Sequence, residues 1–128
     1  MARPRETELT QRELEVMHVY WRHGELTAAD ARRQLADDGL DRAYVTVANL
    51  VRILVEKGYL QATNDQRPFR YQPVQTFGDV SRSLVGDLVN RVFHGSREQL
   101  LVNLLDGPKK LTNKERALLE RVLKEQER

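Results

Sequence analysis

The amino-acid sequence predicts a mainly α fold: three helices and a small β-hairpin over residues 1–75, then three further helices over residues 76–128. Three observations predict it. Hydroxyl residues stand three positions ahead of an acid or amide at five places, as capping boxes do. Apolar residues recur at helical spacing through most of the chain. Alternation of apolar and polar side chains is confined to two short runs either side of N-D-Q-R-P.

The five cap candidates are Thr10 with Glu13, Thr27 with Asp30, Thr76 with Asp79, Ser96 with Gln99 and Thr112 with Glu115. At the first, Leu9 and Leu14 also occupy the two positions of a hydrophobic staple. The first helix is expected from about Gln11 to Arg22, burying Leu14, Met17, Tyr20 and Trp21 and stopping before Gly24. The second is expected over residues 28–37 with Ala31 and Leu35 inward, ending at Gly39. A third runs from about Arg42 to Lys57, with Gly58 where a left-handed C-terminal residue is wanted. Residues 59–63 and 69–72 then alternate as half-buried strands, with residues 64–68 as the hairpin tip.

From Thr76 only helical patterns remain. A long one carries Val80, Leu84, Val85, Leu88, Val89, Val92 and Phe93 and ends at Gly95. The fifth covers residues 97–105 and the sixth about 113–126, both leucine-rich. Such helices have more apolar surface than they hide alone, and a dimer is the simplest remedy. Val80, Leu84, Leu88, Val92, Leu101, Leu104, Leu105, Leu118, Leu119 and Val122 are the residues expected to dimerise.

Helix, helix, helix, hairpin is the order of a winged helix-turn-helix, in which the third helix enters a DNA major groove and the hairpin reaches flanking phosphates. At 100° per residue, Val47, Leu50, Val51 and Leu54 fall on the side of that helix that packs inward. Arg42, Val45, Asn49 and Arg52 fall opposite, with Thr46 and Ala48 at the margins. That set suits base edges: arginine pairs with guanine O6 and N7, asparagine with adenine N6 and N7, and Val or Ala meets a thymine methyl. Arg67 and Arg70 on the wing, and Arg3 and Arg5 in the N-terminal arm, are expected on the DNA backbone.

Composition supports placement of charge over its amount. The net charge of +2 is no nucleic-acid footprint, but residues 42–70 hold five basic and two acidic groups. There are no cysteines, which excludes disulfides and thiolate chemistry. The N-terminus lacks the apolar run of a signal peptide and no stretch approaches a membrane span, so a cytoplasmic protein is expected. Of the three histidines, His18 and His23 fall about 140° apart on a helix, and no cysteine or tight carboxylate cluster completes a ligand set. With no phosphate loop and no nucleophile beside a base, the expectation is a non-enzyme without metal, cofactor or small-molecule substrate. Fold alone leaves one rival, a winged-helix module that docks protein instead of DNA.

Four segments together resemble the penicillinase-repressor family of bacterial regulators, typified by BlaI and MecI. They are L-T-Q-R-E-L-E-V-M-H-V-Y-W-R-H-G-E-L-T-A-A-D, A-Y-V-T-V-A-N-L-V-R-I-L-V-E-K-G-Y-L, F-R-Y-Q-P-V and F-H-G-S-R-E-Q-L-L-V-N-L-L-D-G with L-T-N-K-E after it. The resemblance implies a homodimer whose winged helices bind the halves of a palindromic operator on double-stranded DNA. It also implies derepression by proteolysis, signalled by a membrane sensor protease that detects a β-lactam, with the matching bond between Asn103 and Leu104. A cut there would sever the fifth helix and detach the sixth. Val45, Ala48 and the Arg52–Ile53 pair depart from the family pattern in the third helix, which implies a different operator preference. The C-x-C pair of a copper-responsive branch is absent.

Overall fold

The computed structural model describes residues 8–127. Its elements run α1 (Gln11–His23), β1 (Leu26–Thr27), α2 (Ala28–Asp37), α3 (Tyr44–Lys57), β2 (Leu60–Ala62), β3 (Arg70–Pro73), α4 (Phe77–Val92), α5 (Arg97–Leu105) and α6 (Asn113–Gln126). A first compact unit extends to Ser81 and a second begins at Arg82. The boundary lies inside α4, later than the break expected after residue 75. Phe77 explains part of the shift, because its ring packs against His18 (5.7 Å) and Trp21 (5.2 Å) of α1.

All five cap hydroxyls accept from the backbone N–H three residues on. At Thr10, Thr27 and Thr112 the acid also returns the bond, completing the box. Each such side chain satisfies a donor that has no intrahelical partner. At the other end of α3, Gly58 adopts φ 86°, and Tyr59 N–H reaches Leu54 O at 2.9 Å.

The core of the first unit joins α1 (Val16, Met17, Val19, Tyr20), α2 (Ala31, Leu35), α3 (Val47, Val51, Leu54) and Leu60. The buried face of α1 is therefore rotated from the expected one. Leu14 and Trp21 are only half-buried, while Val16 and Val19 are fully buried. Glu13 is also inside, 4% exposed. It is held by Lys57, whose Nζ lies 2.8 Å from Glu13 Oε1 and 2.7 Å from Glu8 O. Trp21 instead turns its indole outward to donate to Gln75 O at 3.0 Å.

The wing is a three-stranded antiparallel sheet in the order β1-β3-β2, pairing Leu26 with Tyr71 and Leu60 with Pro73. The expected hairpin is present, but its third strand, two residues between α1 and α2, carries too short a pattern to be read locally.

In the second unit apolar residues stay exposed. Leu84, Val85, Leu88, Val92, Leu101, Val102, Leu104, Leu105, Leu118, Val122 and Leu123 are all in this state, while Val89 is buried. Neither α5 nor α6 has a buried residue. Two residues expected at a dimer contact are already covered in the chain itself: Val80 is 4% exposed, and Leu119 is half-buried. Among the described residues, no helix is long and apolar enough to cross a membrane.

Candidate nucleic-acid interface

Helix α2, the turn at residues 38–43 and helix α3 form the helix-turn-helix of the first unit. Gly39 makes the turn at φ 86°, and Leu40 N–H closes it on Leu35 O at 2.8 Å. Arg32 Nε adds a bond to Arg42 O at 3.2 Å. The turn thus fixes where α3 begins, and it begins at Tyr44 with Ala43 as N-cap, two residues later than expected.

That offset changes the role of Arg42. It was expected on the groove face, but it precedes the helix and pairs with Glu15 of α1 at 3.0 Å, with 26% of its side chain exposed. Arg42 ties the turn to α1 instead of projecting from α3. Val45 is 76% exposed, and Asn49 and Arg52 are exposed beside it, so these three share the open face. Thr46 and Ala48 sit half-buried at its edges. Arg52 bridges its helical neighbours, donating to Asn49 Oδ1 at 2.8 Å and Glu56 Oε1 at 2.7 Å.

Beside that face lies an open groove of about 580 Å³ between the start of α2, helix α3 and the wing. Tyr44, Ala48 and Val51 line the α3 side, and Arg67, Pro68 and Phe69 line the wing side. Tyr44 is 52% exposed and was not among the expected contacts. The available signal was its spacing, since Tyr44, Ala48 and Val51 recur at i, i+4 and i+7.

The two wing arginines differ. Arg67 stands at the tip, its guanidinium 5.9 Å from the centre of the Phe69 ring. Arg70 belongs to β3 and is engaged, with Nε 2.7 Å from Glu25 Oε2 and Nη2 3.3 Å from Glu25 O. Hydrogen bonds from Arg70 and then Thr63 hold the Glu25 carboxyl below its usual range, and the same bond to Glu25 raises Arg70. Arg70 was expected on the DNA backbone, and this pairing makes it first a tie between the wing and the chain ahead of β1. Arg3 and Arg5 lie outside the described residues.

His18 packs edge-on against Trp21 at 5.5 Å and tilted against Phe77. No group of three or more His, Cys, Asp or Glu side chains among the described residues is placed to hold a metal ion. On α5, Asn103 and Leu104 are both exposed, Leu104 at 67%.

Comparison with known proteins agrees with this geometry. The chain is 24% identical over 100 residues to the penicillinase repressor of Bacillus licheniformis, spanning 78% of this chain and 77% of that protein. Its fold is similar to the solution structure of the DNA-binding domain of the repressor BlaI. That match has a TM-score of 0.50 and 25% identity, and covers 62% of this chain and 93% of that domain. The family model for the penicillinase repressor matches residues 9–125, and the chain belongs to that family.

Proposed function

We propose that the protein represses transcription as a homodimer seated on an inverted-repeat operator. Family membership and the winged helix together carry the coarser statement, a DNA-binding transcriptional repressor that is not an enzyme. The observation that carries the finer one is the open face of α3, where Val45, Asn49 and Arg52 project from the first three turns beside a wing tipped by Arg67. Side chains on the N-terminal half of a recognition helix are those that reach base edges.

In this reading Val45 and Ala48 meet thymine methyls, Thr46 lies at the edge of the contact, and Asn49 and Arg52 read polar base edges. One sugar–phosphate strand follows the groove between Tyr44 and the wing, where Arg67 supplies charge without sequence preference. Arg42 and Arg70 act indirectly, holding α3 and the wing at their angles through Glu15 and Glu25.

The exposed leucines and valines of α4–α6 supply the dimer contact, and linking two half-sites multiplies affinity without new DNA contacts. Cleavage between Asn103 and Leu104 by a protease under a membrane sensor then relieves repression, because it removes the end of α5 and all of α6.

Binding to duplexes selected from a random pool tests the reading. Affinity should fall steeply as salt rises, and failure to bind any duplex at low salt refutes it. Asn49→Ala should relax preference at one base pair, whereas Arg67→Ala should weaken all sequences alike. A chain ending at Asn103 should sediment as a monomer with weakened operator binding, and a persisting dimer refutes the role given to α5 and α6.

A further inference from the structure

We infer that His18, Trp21, Gln75 and Phe77 form a stiff joint at the start of α4, and that this joint sets how many base pairs may separate the two half-sites of the operator. The joint acts on spacing, a property beyond base recognition, and its role rests on the dimeric repressor proposed above.

One helix serves both tasks of that repressor. The first turn of α4 belongs to the winged unit, which extends to Ser81, and its later turns carry the exposed Leu84, Leu88 and Val92 assigned to the dimer contact. The helix runs unbroken from Phe77 to Val92, through Gly78 and Gly86. At 1.5 Å per residue it is about 24 Å long, so a tilt of about 10° at its start moves its far end by about 4 Å. Adding one base pair between half-sites shifts one of them by about 3.4 Å and turns it by about 34°. Small play at the first turn of α4 is therefore as large as one step of DNA.

Three anchors remove that play. Trp21 donates its indole N–H to Gln75 O at 3.0 Å, which catches the backbone two residues ahead of the helix. Phe77, the first residue of α4, places its ring 5.2 Å from Trp21 at 70° and 5.7 Å from His18, and His18 meets Trp21 edge-on at 5.5 Å. These separations lie in the favourable range for aromatic pairs, and the near-perpendicular ones have the preferred edge-to-face geometry. Val80, nearly one turn further on, is 4% exposed. A single contact would leave a hinge, whereas successive holds at residues 75, 77 and 80 resist both swing and roll. Phe77 stands outside the core cluster of the first unit and keeps 51% of its surface exposed, so its ring contacts bear on the direction of α4 more than on stability. None of these residues lies on α3 or at the wing tip. Stiff joints let a dimer meet both half-sites at one spacing; loose joints would meet several, each with the second half-site at a lower effective concentration.

The test uses the full chain, its selected operator with the spacer changed by one or two base pairs either way, and a duplex carrying one half-site. For the natural protein, one base pair either way should weaken binding on the order of tenfold. Phe77→Ala should bind the single half-site and dimerise as the natural protein does, bind the best operator severalfold more weakly, and lose only roughly twofold per base-pair change. Trp21→Phe, which keeps a ring but has no N–H for Gln75 O, should flatten the spacing profile in the same direction, and Phe77→Tyr, which keeps the ring, should preserve it. A flat profile for the natural protein, or profiles for Phe77→Ala and Trp21→Phe as steep as the natural one, would overturn the joint. So would an altered dimer constant or weakened half-site binding in Phe77→Ala, which would put Phe77 in the dimer contact or the DNA-reading fold instead. Each of these results leaves operator binding intact, whereas selection of single half-sites alone would overturn the dimeric reading and the joint with it.

Discussion

If the protein forms the dimer proposed above, Leu104→Ala should weaken it without disturbing the fold of the protomer. Leu104 lies near the end of α5 with 67% of its surface exposed, so the substitution opens no cavity within the protomer. Alanine is at least as good a helix former as leucine, so α5 itself is not weakened. Complete burial of a leucine side chain is worth about 2 kcal/mol. Two-thirds of that area remains to be covered, so each protomer gains about 1 kcal/mol from Leu104 when the dimer forms. A two-fold contact uses the residue twice, which brings the loss in Leu104→Ala to about 2 kcal/mol. At 1.4 kcal/mol per tenfold, the dimer dissociation constant should rise roughly thirtyfold. Sedimentation velocity over a dilution series measures that constant, and far-ultraviolet circular dichroism checks that helix content is unchanged. An unaltered constant would remove Leu104 from the contact, and a natural protein that is monomeric at every concentration would refute the dimer reading as a whole.

Two further predictions concern the first unit. Lys57→Met leaves the buried Glu13 carboxylate without its cation and should cost about 3 kcal/mol, read from urea unfolding of Trp21 fluorescence at fixed protomer concentration. In a Glu13→Gln background, where the cap is kept and the charge removed, the same change should cost less than about 1 kcal/mol; additive costs would mean that Lys57 does not compensate Glu13. For Asp30, burial pushes the carboxyl up, but the hydrogen bonds from Thr27 and the adjacent Arg33 outweigh it and hold it below its ordinary 3.8. Because the folded pKa is the lower one, this stabilisation is present above 3.8 and is lost as pH falls through the folded value. The stability gap between the natural protein and Asp30→Asn should therefore be widest well above 3.8 and close as the pH falls through the lowered folded value, and a gap independent of pH would contradict the assignment.

Local features proved legible wherever the relevant partners lie within one helical turn. The five capping hydroxyls act over three residues, so the sequence places them directly, and Gly58 is read in the same way. The inward side of α3 also follows from spacing, since Val47, Val51 and Leu54 lie on one face and only Leu50 stays half-exposed. The face of α1 does not follow, because a pattern of apolar residues cannot anticipate a glutamate in the core. Glu13 is inside because Lys57, 44 positions later, meets it there.

What the sequence by itself determined is the succession of helices and hairpin, the exposure of Val45, Asn49 and Arg52, and the excess of apolar surface beyond residue 81. All of these depend on periodicity and on caps, whose physics is confined to neighbours in the chain. The tertiary structure alone decided which charged groups remain available. It turned Arg42 toward Glu15 and Arg70 toward Glu25, and added β1 to the wing. Ion pairs and strand pairs join residues tens of positions apart, and only the folded chain brings them within a few ångströms of one another.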